Sequence, residues 1–264
     1  MSKNSDDTQL KISGAELCFA GQALGIPRLL LPADPFQGWF IEDIDKEFSR
    51  VEKKLLEKEL LGSDQKISSS TLSQIVEILG NPHSSIILQQ EQINGDSGVI
   101  YFHGKEDQWV ALEMIEEDQY QIEKIAQTQN LDQQIDELII LKVEANDQKL
   151  SIQIKYEDYF QAREAAQDQG LPACQEYLQN ITQEPEISAL ISEDLANPRI
   201  SGSVTEWHWQ DMDVLQRKGL AFLGGEERLW LVKEDPKDSS KIQLTQITRS
   251  DLTTEIAEMV DQLS

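Results

Sequence analysis

An internal repeat is the feature of this 264-residue sequence that most limits its possible folds. In the first half, residues 78–82 (ILGNP) precede a series of strand-like runs, one of which contains residues 101–104 (YFHG). In the second half, residues 194–198 (DLANP) precede a similar series, which contains residues 221–224 (AFLG). A sequence that presents one unit twice predicts two copies of one supersecondary arrangement.

The repeat continues to the end of each half. A tryptophan follows each of these runs, Trp109 in the first half and Trp230 in the second, and we align the two. The next segments, residues 120–125 (YQIEKI) and 242–247 (IQLTQI), align without a gap. Each half then closes with four apolar residues at spacings of four, three and one, which is typical of one face of a helix. These residues are Leu131, Ile135, Leu138 and Ile139 in the first half, and Leu252, Ile256, Met259 and Val260 in the second.

Turn-forming residues divide each unit into elements. Asn81-Pro82 and Asn197-Pro198 each predict the end of a helix and the start of a strand, because proline disfavours the helical conformation of the preceding residue. Residues 94–97 (NGDS) predict the turn of a hairpin whose strands cover residues 84–93 and 98–101.

The second half offers a corresponding strand in residues 204–209, with a turn over 210–213. Alternation along a strand places Trp207 and Trp209 on one face and Glu206 and His208 on the other. Two large aromatic residues on one strand face are either part of the core or a stripe that contacts a partner.

We therefore predict an α+β fold with two homologous halves in a quasi-twofold arrangement, in which helical bundles flank a central antiparallel sheet. The first repeat unit covers residues 1–146, with a helical insertion at 32–61 that contains a charged helix over 42–61, and the second unit covers 147–264. We expect the units to merge into one domain, since one shared sheet removes exposed edge strands that would invite aggregation.

The charge balance limits the partners. Asp and Glu number 48 against 23 Lys and Arg, a net charge of −25. Binding to nucleic acid depends on clustered cations, so this balance argues against nucleic acid and acidic membranes. The apolar runs fall short of the roughly 18 residues of a membrane span, and residues 1–10 lack the layout of a signal peptide. We expect a cytoplasmic protein whose two cysteines, Cys18 and Cys174, are apolar residues of helices.

No catalytic, cofactor or metal site is predicted. The histidines His83, His103 and His208 occur singly, without the spacing of a zinc site. Gly224-Gly225 lacks the Lys and Ser or Thr of a phosphate-binding loop, and the sequence contains no Gly-x-Ser-x-Gly motif. An enzyme would need a site built from scattered residues, so we expect a protein that is not an enzyme.

Three helices mark the order of elements: an apolar helix that ends in residues 24–27 (LGIP), a helix that ends in residues 79–82 (LGNP), and a closing helix over residues 131–141. This order resembles the EspG family of type VII (ESX) secretion chaperones. It implies a cytoplasmic chaperone that binds the apolar tip of a secreted helical partner, a heterodimer of PE and PPE type in that family, and keeps it soluble until export.

By analogy, the partner would contact the sheet, the loop at residues 93–98 and the helical region near the carboxy terminus. The residues that we select for this contact are Ile93, Asn94, Trp207 and Trp209. The oligomeric state stays open.

The sequence also allows a function from another class. An immunity or inhibitor protein could use its acidic surface to mask a basic toxin, because opposite charge accelerates association. That function predicts acidic residues concentrated on one face. The acidic residues are instead spread through both halves, which favours the chaperone interpretation.

Overall fold

The computed structural model describes residues 9–93, 95–125, 131–139 and 150–261. Both halves contain a strand, three helices, four strands and a final helix within these residues. The elements of the first half are β1 (Gln9–Ser13), α1 (Gly14–Ala23), α2 (Ile41–Glu57), α3 (Ser70–Gly80), β2 (Ser84–Gln92), β3 (Ser97–Lys105), β4 (Gln108–Glu116), β5 (Gln119–Ile125) and α4 (Leu131–Leu138). Those of the second half are β6 (Ser151–Lys155), α5 (Tyr156–Gln169), α6 (Leu171–Thr182), α7 (Pro185–Ala196), β7 (Ile200–Gln210), β8 (Asp213–Gly224), β9 (Leu229–Asp235), β10 (Asp238–Ile247) and α8 (Arg249–Asp261).

All ten strands form one antiparallel sheet. Their order is β1-β5-β4-β3-β2-β7-β8-β9-β10-β6, so each strand of one half has its counterpart at the mirrored position in the other half. The two halves meet where β2 pairs with β7. This architecture confirms the predicted α+β class with a central antiparallel sheet.

The register of that central pairing defines the twofold relation. Leu88 lies seven positions after Asn81, and Val204 lies seven positions after Asn197, so the two residues are equivalent in the repeat. They are also direct partners in the β2–β7 ladder. An approximate twofold axis therefore passes between Leu88 and Val204, perpendicular to the sheet.

The helices cover the two faces of the sheet differently. On one face, which we call the α4/α8 face, the two closing helices pack together over the central strands. The opposite face, the bundle face, carries α1 and α3 over the first half and α5, α6 and α7 over the second. The predicted closing-helix residues, among them Leu131, Ile135, Leu252 and Ile256, are buried in the core of the α4/α8 face.

The equivalence that we assigned to Trp109 and Trp230 is wrong by one residue. Trp109 pairs with Ile125, whereas the corresponding residue of β10, Ile247, pairs with Leu229. A shift of one residue moves a strand side chain to the other face. Trp109 accordingly packs on the α4/α8 face and Trp230 packs under the helices of the bundle face.

Some element boundaries differ from the predictions. The charged helix α2 ends at Glu57, because the chain reverses there and Leu61 forms a β-bridge with Ile67. The second hairpin turns through Asp211 and Met212 alone, both with positive φ, which fits a tight two-residue turn. The predicted boundary near residue 146 lies outside the described residues.

Candidate partner-binding surfaces

The structure does not bring the three described residues of the selected set into one cluster. Trp207 and Trp209 lie toward the end of β7 on the bundle face. Ile93 follows β2, and its amide donates to the carbonyl of Arg199 just before β7 begins (3.0 Å). Strand geometry places Ile93 roughly 30 Å from Trp209 along β7. Asn94 lies outside the described residues.

Ile93 and Trp209 are nevertheless related by the twofold axis. Each stands twelve positions after the Asn of its Asn-Pro pair. The amide of Trp209 donates to the carbonyl of His83 (2.9 Å), as that of Ile93 donates to Arg199. The end of each hairpin thus lies against the Asn-Pro corner of the other half.

A groove opens beside Ile93, between the β2–β3 turn and the helices of the second half. We call it the hairpin groove. Its volume is about 430 Å³, and its walls include Ile93, Tyr159, Arg163, Leu195 and Pro198. Ile93 is 60% exposed at its rim. An exposed apolar side chain next to a groove is typical of a protein-binding surface.

Aromatic residues of α5 extend this apolar surface. Tyr159 is shared with the groove wall, and its ring contacts Phe160 edge to face at 6.0 Å. Phe160 in turn packs against Tyr156 at 4.7 Å. Tyr156 and Phe160 are both exposed, at 54% and 40%. The hairpin groove and these rings together form an accessible aromatic surface of the second half.

The equivalent position on the first half has a different chemistry. Met212, in the β7–β8 turn, lies over a groove of about 440 Å³ whose walls include Ile26, Pro27, Arg28 and Lys105. Among the described residues, the wall of this Met212 groove has two cations, one carboxylate and no aromatic side chain. The two ends of the twofold scaffold therefore offer different surfaces.

The two tryptophans of β7 form a ladder on the bundle face. Their rings stack at 5.6 Å with an angle of 17° between the planes, and the guanidinium of Arg217 lies 5.2 Å above Trp207. Both residues are half-buried. The structure thus places them between the two predicted alternatives, with one part of each ring packed and another part accessible.

A buried hydrogen-bond chain holds Trp209. Its indole N–H donates to Ser85 Oγ (2.8 Å), and Ser85 Oγ lies 2.7 Å from His103 Nδ1. Because Ser85 accepts from the indole, its own hydrogen is available to Nδ1. Burial lowers the pKa of His103 to about 4, so the ring is neutral and can accept this bond.

A second polar group lies beneath the other face of β7, and sequence reasoning missed it. Glu206 is fully buried, and its Oε1 lies 2.5 Å from His208 Nε2. Glu206 Oε2 is buried without a hydrogen-bond partner among the described residues. The alternation that separated the tryptophans from Glu206 and His208 was the available signal, since residues two apart on a strand share a face.

The described residues show little sign of other chemistry. No group of three or more His, Cys, Asp or Glu side chains in them could hold a metal ion. Both cysteines are free, and burial, followed by the charges of Asp34 and Asp118, raises the pKa of Cys18 to about 11. In the same residues, no helix combines the length and the apolar character that a membrane span requires.

Comparison with known proteins identifies the fold. No family model matches the chain, and no curated protein matches it in sequence. Among solved structures, the chain is similar to the Mycobacterium tuberculosis type VII secretion system chaperone EspG5, solved in complex with the PE25–PPE41 dimer. The TM-score is 0.66 at 10% identity, and the match covers 94% of each chain. The chain therefore has an EspG-like fold.

Proposed function

We propose that this chain is a cytoplasmic, non-enzymatic chaperone of type VII secretion that binds a secreted helical substrate of PE/PPE type and keeps it soluble for export. The observation that carries the proposal is the shared fold: 94% of this chain matches a chaperone that was solved with a PE–PPE dimer bound. The match extends over both halves, so the complete scaffold is shared.

We assign the substrate to the hairpin groove and the adjoining rings of α5. Secreted helical proteins that present apolar tips need those tips covered before export, and exposed apolar patches otherwise promote association. Ile93, Tyr156 and Phe160 offer accessible apolar area around a preformed cavity. Apolar and aromatic residues at the centre of an interface supply most of its binding energy.

Charge supports the same role in a different way. A net charge of −25 on the chaperone keeps a complex dispersed, because the bound apolar tip is covered and the remaining surface repels other copies. The groove itself contains a cation, Arg163, beside Glu91. Its walls are therefore closer to neutral than the molecule as a whole.

The test is capture of a secreted helical pair by the full chain. The chain is co-expressed with a PE/PPE-like pair from the same genome, and the dissociation constant of the purified complex is measured by titration. Ile93→Arg places a charge at the rim of the hairpin groove, and we expect binding to weaken about 30-fold, as for a residue at the centre of an interface.

Met212→Arg is the matched control, because Met212 occupies the turn of the other hairpin. Equal loss in both variants would contradict the assignment to the hairpin groove. Failure of the unaltered chain to bind any such pair would contradict the chaperone function itself. Two results together would instead establish the immunity function: the chain captures a basic toxin and high salt abolishes this binding, and the chain protects cells that express the toxin.

A further inference from the structure

Arg163 lies unpaired in the wall of the hairpin groove. Its side chain is half-buried and makes no ion pair or hydrogen bond with any residue that the structure describes. A helix brings ion-pair partners together at spacings of three and four residues. On α5, these positions around Arg163 hold only uncharged residues: Tyr159, Phe160, Ala166 and Gln167. The helix therefore offers this guanidinium no carboxylate of its own.

Most of the other arginines are engaged. Four of the seven form an ion pair with a carboxylate and a fifth stacks on an indole ring: Arg50, Arg199, Arg228 and Arg249 are paired, and Arg217 lies over Trp207. Within the described part of the chain, only Arg28 resembles Arg163, and it lies in the wall of the Met212 groove. Since Asp and Glu outnumber Lys and Arg by 48 to 23, a shortage of carboxylates does not explain these two exceptions.

Glu91 is the carboxylate in the wall of the hairpin groove, but it does not engage Arg163. Glu91 is exposed on β2, and the two side chains form no ion pair in the structure. Its charge offsets that of Arg163 at a distance, so the groove as a whole has no strong attraction for anions. Recognition of a carboxylate here therefore depends on direct contact with the guanidinium, whose N–H donors are free.

Two neighbours of Arg163 on α5 add further hydrogen-bond donors. Tyr159, Arg163 and Gln167 follow one another at intervals of four residues, so they share one face of the helix, and all three line the groove. The Tyr159 hydroxyl and the Gln167 side-chain amide make no hydrogen bond with the described residues. Burial raises the pKa of Tyr159, although the charge of Arg163 opposes this shift, so the hydroxyl keeps its proton at neutral pH. This face of α5 thus presents a row of donors to the groove.

Apolar side chains line another part of the groove. Leu195 and Pro198 belong to its wall, and Ile93 is exposed at its rim. An apolar tip that filled the groove would exclude water from Arg163. A guanidinium that loses water without gaining an acceptor costs free energy, so the groove favours an occupant that supplies a carboxylate over one that does not.

We propose that Arg163 binds an Asp or Glu side chain of the secreted helical partner, placed beside the apolar residue that packs against Ile93 and Leu195. This inference rests on the proposed chaperone function, because it concerns the same groove, and it defines which partners the groove accepts. The planar guanidinium can donate two parallel hydrogen bonds to one carboxylate. A second copy of this chain is a poorer occupant, because two chains of charge −25 repel each other.

The experiment uses the full chain and a PE/PPE-like pair from the same genome, with dissociation constants measured by titration. We expect Arg163→Gln to weaken binding about tenfold, because a charge pair at the interface is lost. Arg28→Gln is the matched control, since Arg28 is the other unpaired arginine and lies in the Met212 groove. Its affinity should stay within about twofold of the unaltered chain. Thermal unfolding of both variants verifies that they fold.

A double-mutant cycle identifies the carboxylate. Each Asp and Glu at the apolar tip of the pair is replaced in turn by Asn or Gln. We expect one of these substitutions to weaken binding to the unaltered chain about tenfold and to have no further effect on binding to Arg163→Gln, because the two groups form one contact. Glu91→Gln removes the other charge of the groove and should bind the pair no more weakly than the unaltered chain.

The outcomes separate this inference from the chaperone function. If Ile93→Arg weakens binding and Arg163→Gln does not, the pair occupies the groove and only the role of Arg163 is overturned. Failure of the unaltered chain to bind any such pair overturns both. Equal losses in Arg163→Gln and Arg28→Gln, or no coupling with any carboxylate of the tip, also overturn the inference. A dimer of the chain alone that Arg163→Gln dissociates would identify a second copy as the occupant instead.

Discussion

The two halves share a backbone plan but have different interiors. Asp194 stands three positions before Asn197, and its counterpart in the first half is Ile78, three positions before Asn81. Asp194 Oδ2 accepts hydrogen bonds from Arg228 Nε and Trp230 Nε1, each at 2.7 Å. Ile78 lies instead in an apolar cluster. The two halves thus keep the same strand register, although the side chains under their helices differ in chemistry.

The surfaces of the two halves also differ, because equivalent positions carry different side chains. Equivalent backbone hydrogen bonds hold Ile93 and Trp209 at the two hairpin ends. Ile93 lies at the hairpin groove, which has an aromatic side chain in its wall. Trp209 instead donates a hydrogen bond to Ser85, and the Met212 groove near it has two cations in its wall. The twofold relation fixes where a side chain lies, and the side chain decides what the site binds. One duplicated scaffold therefore carries two unlike surfaces.

The largest expected effect comes from the polar core of the second half. Asp194→Ala leaves Arg228 Nε and the Trp230 indole N–H without their acceptor in a nearly closed site, and only Glu193 still accepts from the guanidinium. We expect a loss of about 3–5 kcal/mol in the free energy of unfolding, measured by denaturant titration.

Glu193→Ala is the matched control for Asp194→Ala, since Glu193 also contacts Arg228 (2.7 Å) but its side chain is half exposed. We expect it to cost less than about 1 kcal/mol. Similar costs for the two variants would show that burial does not distinguish them and that the polar core is no more than a surface ion pair.

The next effect is a pH dependence confined to the first half. Burial lowers the pKa of His103 from 6.5 to about 4, so the unfolded chain takes up a proton first as the pH falls. The contribution of His103 to stability is present above pH 6.5 and is lost between pH 6.5 and about 4. One unit of pKa corresponds to about 1.4 kcal/mol, so the free energy of unfolding is lower by about 3 kcal/mol at pH 4 than at neutral pH.

The corresponding residue of the second half is Leu223, which precedes Gly224 as His103 precedes Gly104. His103→Leu makes the two halves alike at this position. Denaturant titrations of the two proteins should give free energies of unfolding that diverge as the pH falls from 7 to 4. Parallel curves would show that the imidazole is not buried in its neutral form.

The smallest effect concerns the first turns of two equivalent helices. Ser13 caps α1: its Oγ accepts from the amide of Glu16 (3.1 Å), and its own amide donates to Glu16 Oε2 (2.8 Å). Lys155 occupies the same position before α5 and makes no side-chain cap. We expect Ser13→Ala to cost about 1 kcal/mol in thermal unfolding.

Lys155→Ala should change stability by less than about 0.5 kcal/mol, because an exposed residue that makes no cap is replaced. If both variants cost the same, the reciprocal bonds of Ser13 and Glu16 do not stabilise α1.

Much of the fold could be predicted because its signals are local. The Asn-Pro pairs end α3 and α7 where expected, and the apolar spacing at Leu131 and Leu252 marks two helices that pack as a pair. Alignment of Trp109 with Trp230 was wrong because shared residue type suggested an equivalence that strand pairing does not support. With a side-chain period of two, one position decides the face.

The candidate surfaces were harder to predict than the fold. Sequence alternation correctly paired Trp207 with Trp209, but it could not show that Ile93 lies at the far end of the same strand. The aromatic surface of Tyr156 and Phe160 joins the groove only because α5 packs beside the β2–β3 turn. No pattern within either segment carries that information.

The sequence alone determined that the chain consists of two related α+β units, since turns, caps and amphipathic periods depend on residues a few positions apart. Tertiary structure decided how the units join: β2 pairs antiparallel with β7, and Leu88 meets Val204 across the axis. That pairing depends on hydrogen bonds and packing between residues distant in sequence. It also places Ile93 and Trp209 at opposite ends of β7, in different surroundings.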